Sequence, residues 1–289
     1  MTKDLLGKRM KEQYEQRTRI LLPRRTYTII RLDGKAFHTY TRGLKRPYDE
    51  GFMRVMDETA MFLCQEIQGA QMAYVQSDEI SILLTDFERD TTDAWFNGNI
   101  QKMVSVSASL ATGKFNEWMT TNWGGSVKPK GLAFFDARVF TIPDPIEVEN
   151  YFIWRQKDAV RNSISMLAQS LYSHKELNGK SQSNMHDMII AKGKNWNDVP
   201  DGFKRGRTIK KVHIFDIENA GLTDDVIDMG SKWSIKTPDF LKERYDLRDF
   251  LPRVNESKLD PARDFDFFCI TCGTGFNSGE ICPKCNERK

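Results

Sequence analysis

The chain has 289 residues, enough for one large domain with an appendage or for two domains. Charged residues make up 29% and no apolar run approaches the ~18 residues of a membrane span, which argues for a soluble globular protein. The net charge of +3, from 43 basic and 40 acidic residues, selects no polyanionic partner by itself, and Met1-Thr2-Lys3-Asp4 opens no signal-peptide pattern, so the cytoplasm is the expected location.

Residues 1 to 22 carry Leu5, Leu6, Met10 and Tyr14 on one side of an expected helix that Pro23 ends. Thr26 to Leu32 then reads as a buried strand that runs straight into Asp33-Gly34. After a basic loop around Lys45-Arg46-Pro47, a helix is expected from about Asp49 to Gln68, with Gly69 as its stop. Met72 to Gln76 and Ile80 to Leu84 are two β-favouring runs joined by the polar Ser77-Asp78-Glu79, a hairpin with acids on its turn. Residues 93 to 119 form a second long helical pattern, in which Ser105 to Ser109 offers small residues for close packing on a sheet. Leu132 to Thr141 returns as a strand. The order β-α-β-β-α-β is the ferredoxin-like, palm-like α+β arrangement, an antiparallel sheet with both helices on one face. Further helices are expected over 147–173 and 182–192, and residues 207–215 as an edge strand.

If the first strand and the hairpin are neighbours, Asp33 and Asp78 converge. Carboxylates gathered at a sheet end repel one another, and a hard divalent cation with oxygen ligands resolves the repulsion. The Gly34 carbonyl is available as a further ligand, because glycine lets the backbone approach closely. A pair of Mg²⁺ ions there would suit phosphoryl or nucleotidyl transfer. His38, just past Asp33-Gly34, is placed to meet a triphosphate, and Lys35, Lys45 and Arg46 can clamp phosphates. Basic residues also crowd the N-terminal stretch and residues 192–211, where Trp196 and Phe203 are interleaved with Lys204, Arg205 and Arg207 in a pattern that can track a nucleic-acid backbone.

Near the end, Cys269-Ile270-Thr271-Cys272 and Cys282-Pro283-Lys284-Cys285 are two C-x-x-C pairs separated by nine residues. Two such knuckles complete a tetrahedral Cys₄ site for a structural Zn²⁺, and the expected division is a catalytic domain over 1–252 and a zinc ribbon over 253–289.

The strings Arg31-Leu32-Asp33-Gly34-Lys35-Ala36-Phe37-His38, Tyr74-Val75-Gln76-Ser77-Asp78-Glu79, Phe135-Asp136-Ala137-Arg138 and Trp154-Arg155-Gln156-Lys157-Asp158 resemble the tRNA-histidine guanylyltransferase family. The resemblance implies a palm-like domain that adds nucleotides to the 5′ end of a tRNA in the 3′-to-5′ direction with two Mg²⁺ ions, using ATP and GTP, and a homotetramer. It implies Asp33, Gly34 and Asp78 as metal ligands, and Asp33 to His38 with Ser77 and Asp78 as the nucleotide site. Glu79 matches an acid needed for activity, and Arg46 and Lys102 match basic positions. Where members specific for tRNA-histidine carry His-Ile-Asn-Asn-Leu-Tyr, this chain has Val160-Arg161-Asn162-Ser163-Ile164-Ser165, which is closer to the templated 5′-end repair branch. The alternatives are a palm-like nucleotide cyclase and a non-catalytic zinc-ribbon RNA-binding protein.

Overall fold

The computed structural model describes residues 4–89, 91–121, 123, 129, 131–211, 233–237, 240, 267–268 and 275–276. The chain divides into two compact units, Met1–Asp86 with Asp93–Leu251, and Phe87–Thr92 with Pro252–Lys289. The four cysteines of the expected zinc site lie outside the described residues.

The first unit starts with α1 (Leu5–Gln13) and a 3-10 turn over Glu15–Thr18. The helix is shorter than the expected 1–22, and none of its residues is buried. It stops early because the next segment is extended: Leu22 N–H donates to the Gly98 carbonyl at 2.9 Å, and Ile100 N–H to that of Ile20 at 3.1 Å. β1 (Tyr27–Gly34), the short α2 (Phe37–Tyr40), α3 (Glu50–Glu66), β2 (Ala70–Gln76) and β3 (Glu79–Leu84) follow. Then come a 3-10 turn over Trp95–Gly98, α4 (Ile100–Thr121), β4 (Phe135–Ile142), α5 (Pro145–Leu171), α6 (His174–Leu177), α7 (Gln182–Ala191), α8 (Asp201–Arg205), β5 (Arg207–Lys211) and β6 (Trp233–Lys236). In the second unit, β7 (Phe267–Phe268) pairs with β8 (Gly275–Phe276).

The six strands of the first unit form one antiparallel sheet in the order β4-β1-β3-β2-β5-β6. Its first four positions have the ferredoxin-like arrangement. β5 is not the edge strand expected from the sequence, since β6 pairs along its outer side. β3 lies between β1 and β2 and every one of its residues is buried, as an apolar run in mid-sheet should be.

Alternation along the strands gives the sheet two different faces. Ile30, Leu32, Ala73, Val75, Ile80 and Ile82 face one side, where α3 and α4 supply Val55, Met56, Leu63, Phe115 and Met119 to a single core. Asp49 caps α3 by accepting from Phe52 N–H at 3.1 Å. In α4 the buried residues recur every fourth position, Met103, Ser107, Ala111, Phe115 and Met119. Of the small stretch Ser105 to Ser109, only Ser107 is therefore buried, and Ser105 and Ser109 are exposed, contrary to their expected packing on the sheet.

The opposite face is covered by α5, whose start is set by Asp144 accepting from Ile146 N–H at 2.7 Å and by Pro145 in the first turn. Tyr151 meets Ser81 at 2.8 Å, and Phe152 packs edge-on against Tyr74. Two helices on one face and a third on the other leave the sheet's end, where β1 meets the hairpin turn, as the place to look for chemistry.

Candidate active site

β1 and β3 are paired so that Asp33 lies opposite Glu79, and β1 and β4 so that Asp33 lies opposite Asp136. Three carboxylates thus stand in a row across three adjacent strands, an arrangement in which directly opposed like charges repel. Beyond the strand ends, Gly34 N–H donates to the Asp78 carbonyl at 3.1 Å, which fastens the end of β1 to the hairpin turn. The Gly34 carbonyl leaves the same edge of the strand and points to the same side. Gly34 must be glycine for a packing reason: a Cβ there would lie 2.4 Å from the Phe37 ring. Ala36 (φ 55°) and Ser77 (φ 46°) both hold left-handed backbone that their side chains disfavour, so the turn after β1 and the hairpin turn that carries Asp78 are each strained.

Burial pushes the Asp78 carboxyl up to about 6, and the nearby Asp33 adds to the rise. Asp33 is also raised, first by burial and then by Glu79 and Asp136, against a smaller pull from Arg138 and Arg31. Among the described residues, no lysine or arginine forms an ion pair with either acid.

Glu79 is in a different state. Arg155 of α5 grips both its oxygens, Nε to Oε1 and Nη2 to Oε2, each at 2.8 Å, and Gln76 Nε2 donates to Oε1 at 3.2 Å. Glu79 is the first residue of β3 and not part of the turn, which contains only Ser77 and Asp78. Asp33 and Asp78 are oxygen donors with raised affinity for protons and no cationic partner, beside a main-chain carbonyl. That donor set fits a hard divalent cation, whereas Glu79 is already neutralised.

A cavity of about 430 Å³ adjoins the turn. Of the nucleotide and phosphate residues expected from the sequence, Phe37, His38, Lys45, Arg46, Ser77 and Asp78 line it. Asp33, Gly34, Lys35 and Ala36 are off its wall, joined to it by the Gly34–Asp78 bond. Lys102 is not brought to the cavity. It sits in the first turn of α4 with its ammonium 5.7 Å from the Phe96 ring, ten residues or about 15 Å of helix from Thr112, whose hydroxyl accepts from Phe135 N–H.

Sequence reasoning named the far-wall residues but did not place them at this cavity. Asn162 and Ser163 of α5 line it, with Phe203 and Arg207. Phe203 packs on Tyr48 at 5.1 Å between ring centroids. Arg207 Nε is bonded to both oxygens of the buried Asp57, at 2.6 and 2.8 Å. The stretch 192–211 is therefore not a free basic track. Lys204 is buried and bonded to the Asn197 carbonyl at 2.8 Å and Asp201 at 3.0 Å, Arg205 also pairs with Asp201, and Trp196 donates to Ser163 at 2.9 Å. The acid three and four positions before Lys204 and Arg205 is the signal that could have shown this.

The tRNAHis guanylyltransferase family model matches residues 7–143, the span that carries Asp33, Asp78, Glu79 and Asp136. A solved bacterial tRNA(His) guanylyltransferase-like protein in complex with ATP is 44% identical, over 86% of this chain and 100% of that one, with a TM-score of 0.74. The chain belongs to the tRNA(His) guanylyltransferase family. A GTP complex of a bacterial tRNA(His) guanylyltransferase-like protein matches at 42% identity, 86% and 99% coverage and a TM-score of 0.69. The tRNA(His) guanylyltransferase of Debaryomyces hansenii is 28% identical over 226 residues, 73% of this chain and 83% of that protein. In this tRNA(His) guanylyltransferase family member, no helix among the described residues is long and apolar enough to cross a membrane.

Proposed function

We propose that the protein is a 3′-to-5′ nucleotidyltransferase that adds GMP or other templated nucleotides to the 5′ end of a tRNA. The observation that carries this reading is the half-buried Asp33 and Asp78, in no ion pair among the described residues and held together by the Gly34–Asp78 bond, in a chain of this family, beside a cavity walled by Arg46, Lys45 and His38. Asp33, Asp78 and the Gly34 carbonyl would hold two magnesium ions. When bound, the ions supply positive charge at the attacking and leaving oxygens of an in-line displacement.

The protein's own residues position and neutralise. Lys45, Arg46 and His38 contact the phosphates of ATP or GTP, and the cavity behind Ser77 accepts the rest of the nucleotide. ATP first adenylylates the 5′-phosphate with release of pyrophosphate, or the RNA starts as a 5′-triphosphate. The 3′-hydroxyl oxygen of the incoming nucleotide then forms the new P–O bond at that 5′ phosphorus and gives up its proton to solvent, as the P–O bond to AMP or pyrophosphate breaks and the leaving group takes the electron pair. Asn162, the one residue kept from the His-Ile-Asn-Asn-Leu-Tyr string, is on the cavity wall, and its neighbours differ, which favours templated repair over dedicated tRNA-histidine recognition.

The same reading includes a structural zinc held by Cys269, Cys272, Cys282 and Cys285, supported by the β7–β8 pairing of the segments that flank residues 269–274. One zinc per chain by atomic absorption, lost in Cys272→Ser, is expected. A homotetramer in the cytoplasm completes the reading, and sedimentation velocity tests the assembly.

The deciding experiment incubates the protein with Mg²⁺, labelled GTP or ATP, and either tRNA-histidine or a 5′-truncated tRNA. Template-directed incorporation at the 5′ end is expected. A cyclic nucleotide formed without RNA would favour the cyclase, and Mg²⁺-independent RNA binding with no incorporation would favour a binding protein.

A further inference from the structure

On the face that α5 packs against, the β1–β4 side remains open at Arg138 and carries a second pattern. One row in from the acids, Arg31 of β1 stands directly opposite Arg138 of β4. Two arginines in register repel, as the opposed Asp33 and Asp136 do, and such pairs destabilise a sheet unless something else occupies them. Arg138 is half-exposed and has only a long 3.8 Å pairing with Asp136, and Arg31 Nε is buried without a hydrogen-bond partner.

Beside this pair stands Trp154 of α5. Its ring has the Arg155 guanidinium over it at 4.3 Å and that of Arg31 at 6.0 Å, yet the residue is 53% exposed. Tyr151, at 5.9 Å, props its edge. A large aromatic held upright by stacked guanidiniums and left open to solvent is the composition of a base-stacking platform, with arginines for the backbone. Arg31 and Asp33 are two residues apart on one strand and on the same face, about 7 Å. None of Trp154, Arg31 and Arg138 lines the nucleotide cavity, so the platform is a separate surface.

We propose that Trp154, with Arg31 and Arg138, forms the surface that receives the 5′-terminal nucleotides of the RNA acceptor and points its end at Asp33. Positive charge and one open aromatic face suit a single-stranded nucleic-acid end, and the repelling Arg31–Arg138 pair is relieved by a phosphate between them. This inference rests on the proposed transfer to an RNA 5′ end.

The test measures affinity for 5′-truncated tRNA by fluorescence anisotropy, and for ATP by calorimetry, in wild type, Trp154→Ala, Trp154→Phe and Arg138→Ala. Trp154→Ala should weaken RNA binding about 5- to 100-fold and leave ATP binding unchanged, with Trp154→Phe retaining most of the affinity. Arg138→Ala should reduce the slope of log K against log salt by about 0.7–0.9, one phosphate contact. Arg138 and Trp154→Phe keep the test open should Trp154→Ala fold poorly. Wild-type RNA affinity and salt slope in these variants, or a parallel loss of ATP affinity, would overturn the platform. Wild-type protein that extends no RNA would instead overturn the proposed function.

Discussion

Gly34 donates its amide to the carbonyl of Asp78 at 3.1 Å, and this one bond joins two acids that are separate in the chain. Asp33 precedes the donor and Asp78 carries the acceptor, so the strand end and the hairpin turn cannot move independently. Among the described residues neither carboxylate forms an ion pair, and both are pushed towards the neutral form.

Removing either acid should therefore separate activity from stability. Asp33→Ala and Asp78→Ala are expected to lower nucleotidyl transfer by at least about 10²–10³-fold, since the loss falls on charge stabilisation in the transition state. Circular dichroism should remain that of the folded protein, and the melting temperature in chelator should hold or rise as like-charge repulsion is relieved.

Glu79 and Arg155 should behave as a unit. Their side chains are only 11% and 7% exposed, and loss of Arg155 leaves Glu79 a buried charge without its cation, whereas Arg155 without Glu79 still holds Asp158 at 2.9 Å. Arg155→Ala is expected to destabilise by about 3–5 kcal/mol, read from urea unfolding. The double variant with Glu79→Ala should be no less stable than the worse single variant, and transfer should fall with the folded fraction in each.

Gly34→Ala should fail for want of space. The new methyl must displace the Phe37 ring, which packs on Phe115 and Phe135 in the core under the nucleotide loop. A destabilisation of about 1–3 kcal/mol is expected. Weaker ATP binding by calorimetry should accompany it, because His38 follows Phe37.

The pH dependence has a definite sign. The folded protein holds Asp78 at about 6, above its ordinary 3.8, so the fold favours the protonated form. Its stabilising contribution is complete below pH 4 and is lost as pH rises through 6. In EDTA, the stability of wild type relative to Asp78→Asn should fall between pH 4 and 7. With Mg²⁺ present the trend should reverse, because the ion takes the ionised carboxylate.

The elements around the site were legible because their signals are local. The strand Tyr27–Gly34 and the hairpin are largely apolar, β-favouring runs that end on acids, and α3 repeats its apolar residues at helical spacing with Asp49 as its cap. Partners distant in sequence were not legible. Arg155 lies 76 residues from Glu79 and Arg207 lies 150 from Asp57, so an acid read as catalytic is held in an ion pair, and a base read as a phosphate track is buried. α1 was overextended because Leu5, Leu6 and Met10 look like a buried face, whereas they are exposed and the segment after them pairs with residues 98–100. Trp154 stood inside a quoted motif, but only its exposure beside Arg31 gives it meaning.

The most direct measurement is a titration of Mn²⁺, followed by electron paramagnetic resonance, into the protein carrying a non-hydrolysable ATP analogue. Two ions per chain are expected in wild type. Asp33→Asn and Asp78→Asn should each hold fewer ions, bound more weakly by more than the about 10–100-fold that loss of an outer partner costs. Equal stoichiometry and affinity in all three proteins would contradict the assignment of these two aspartates as the metal-holding pair.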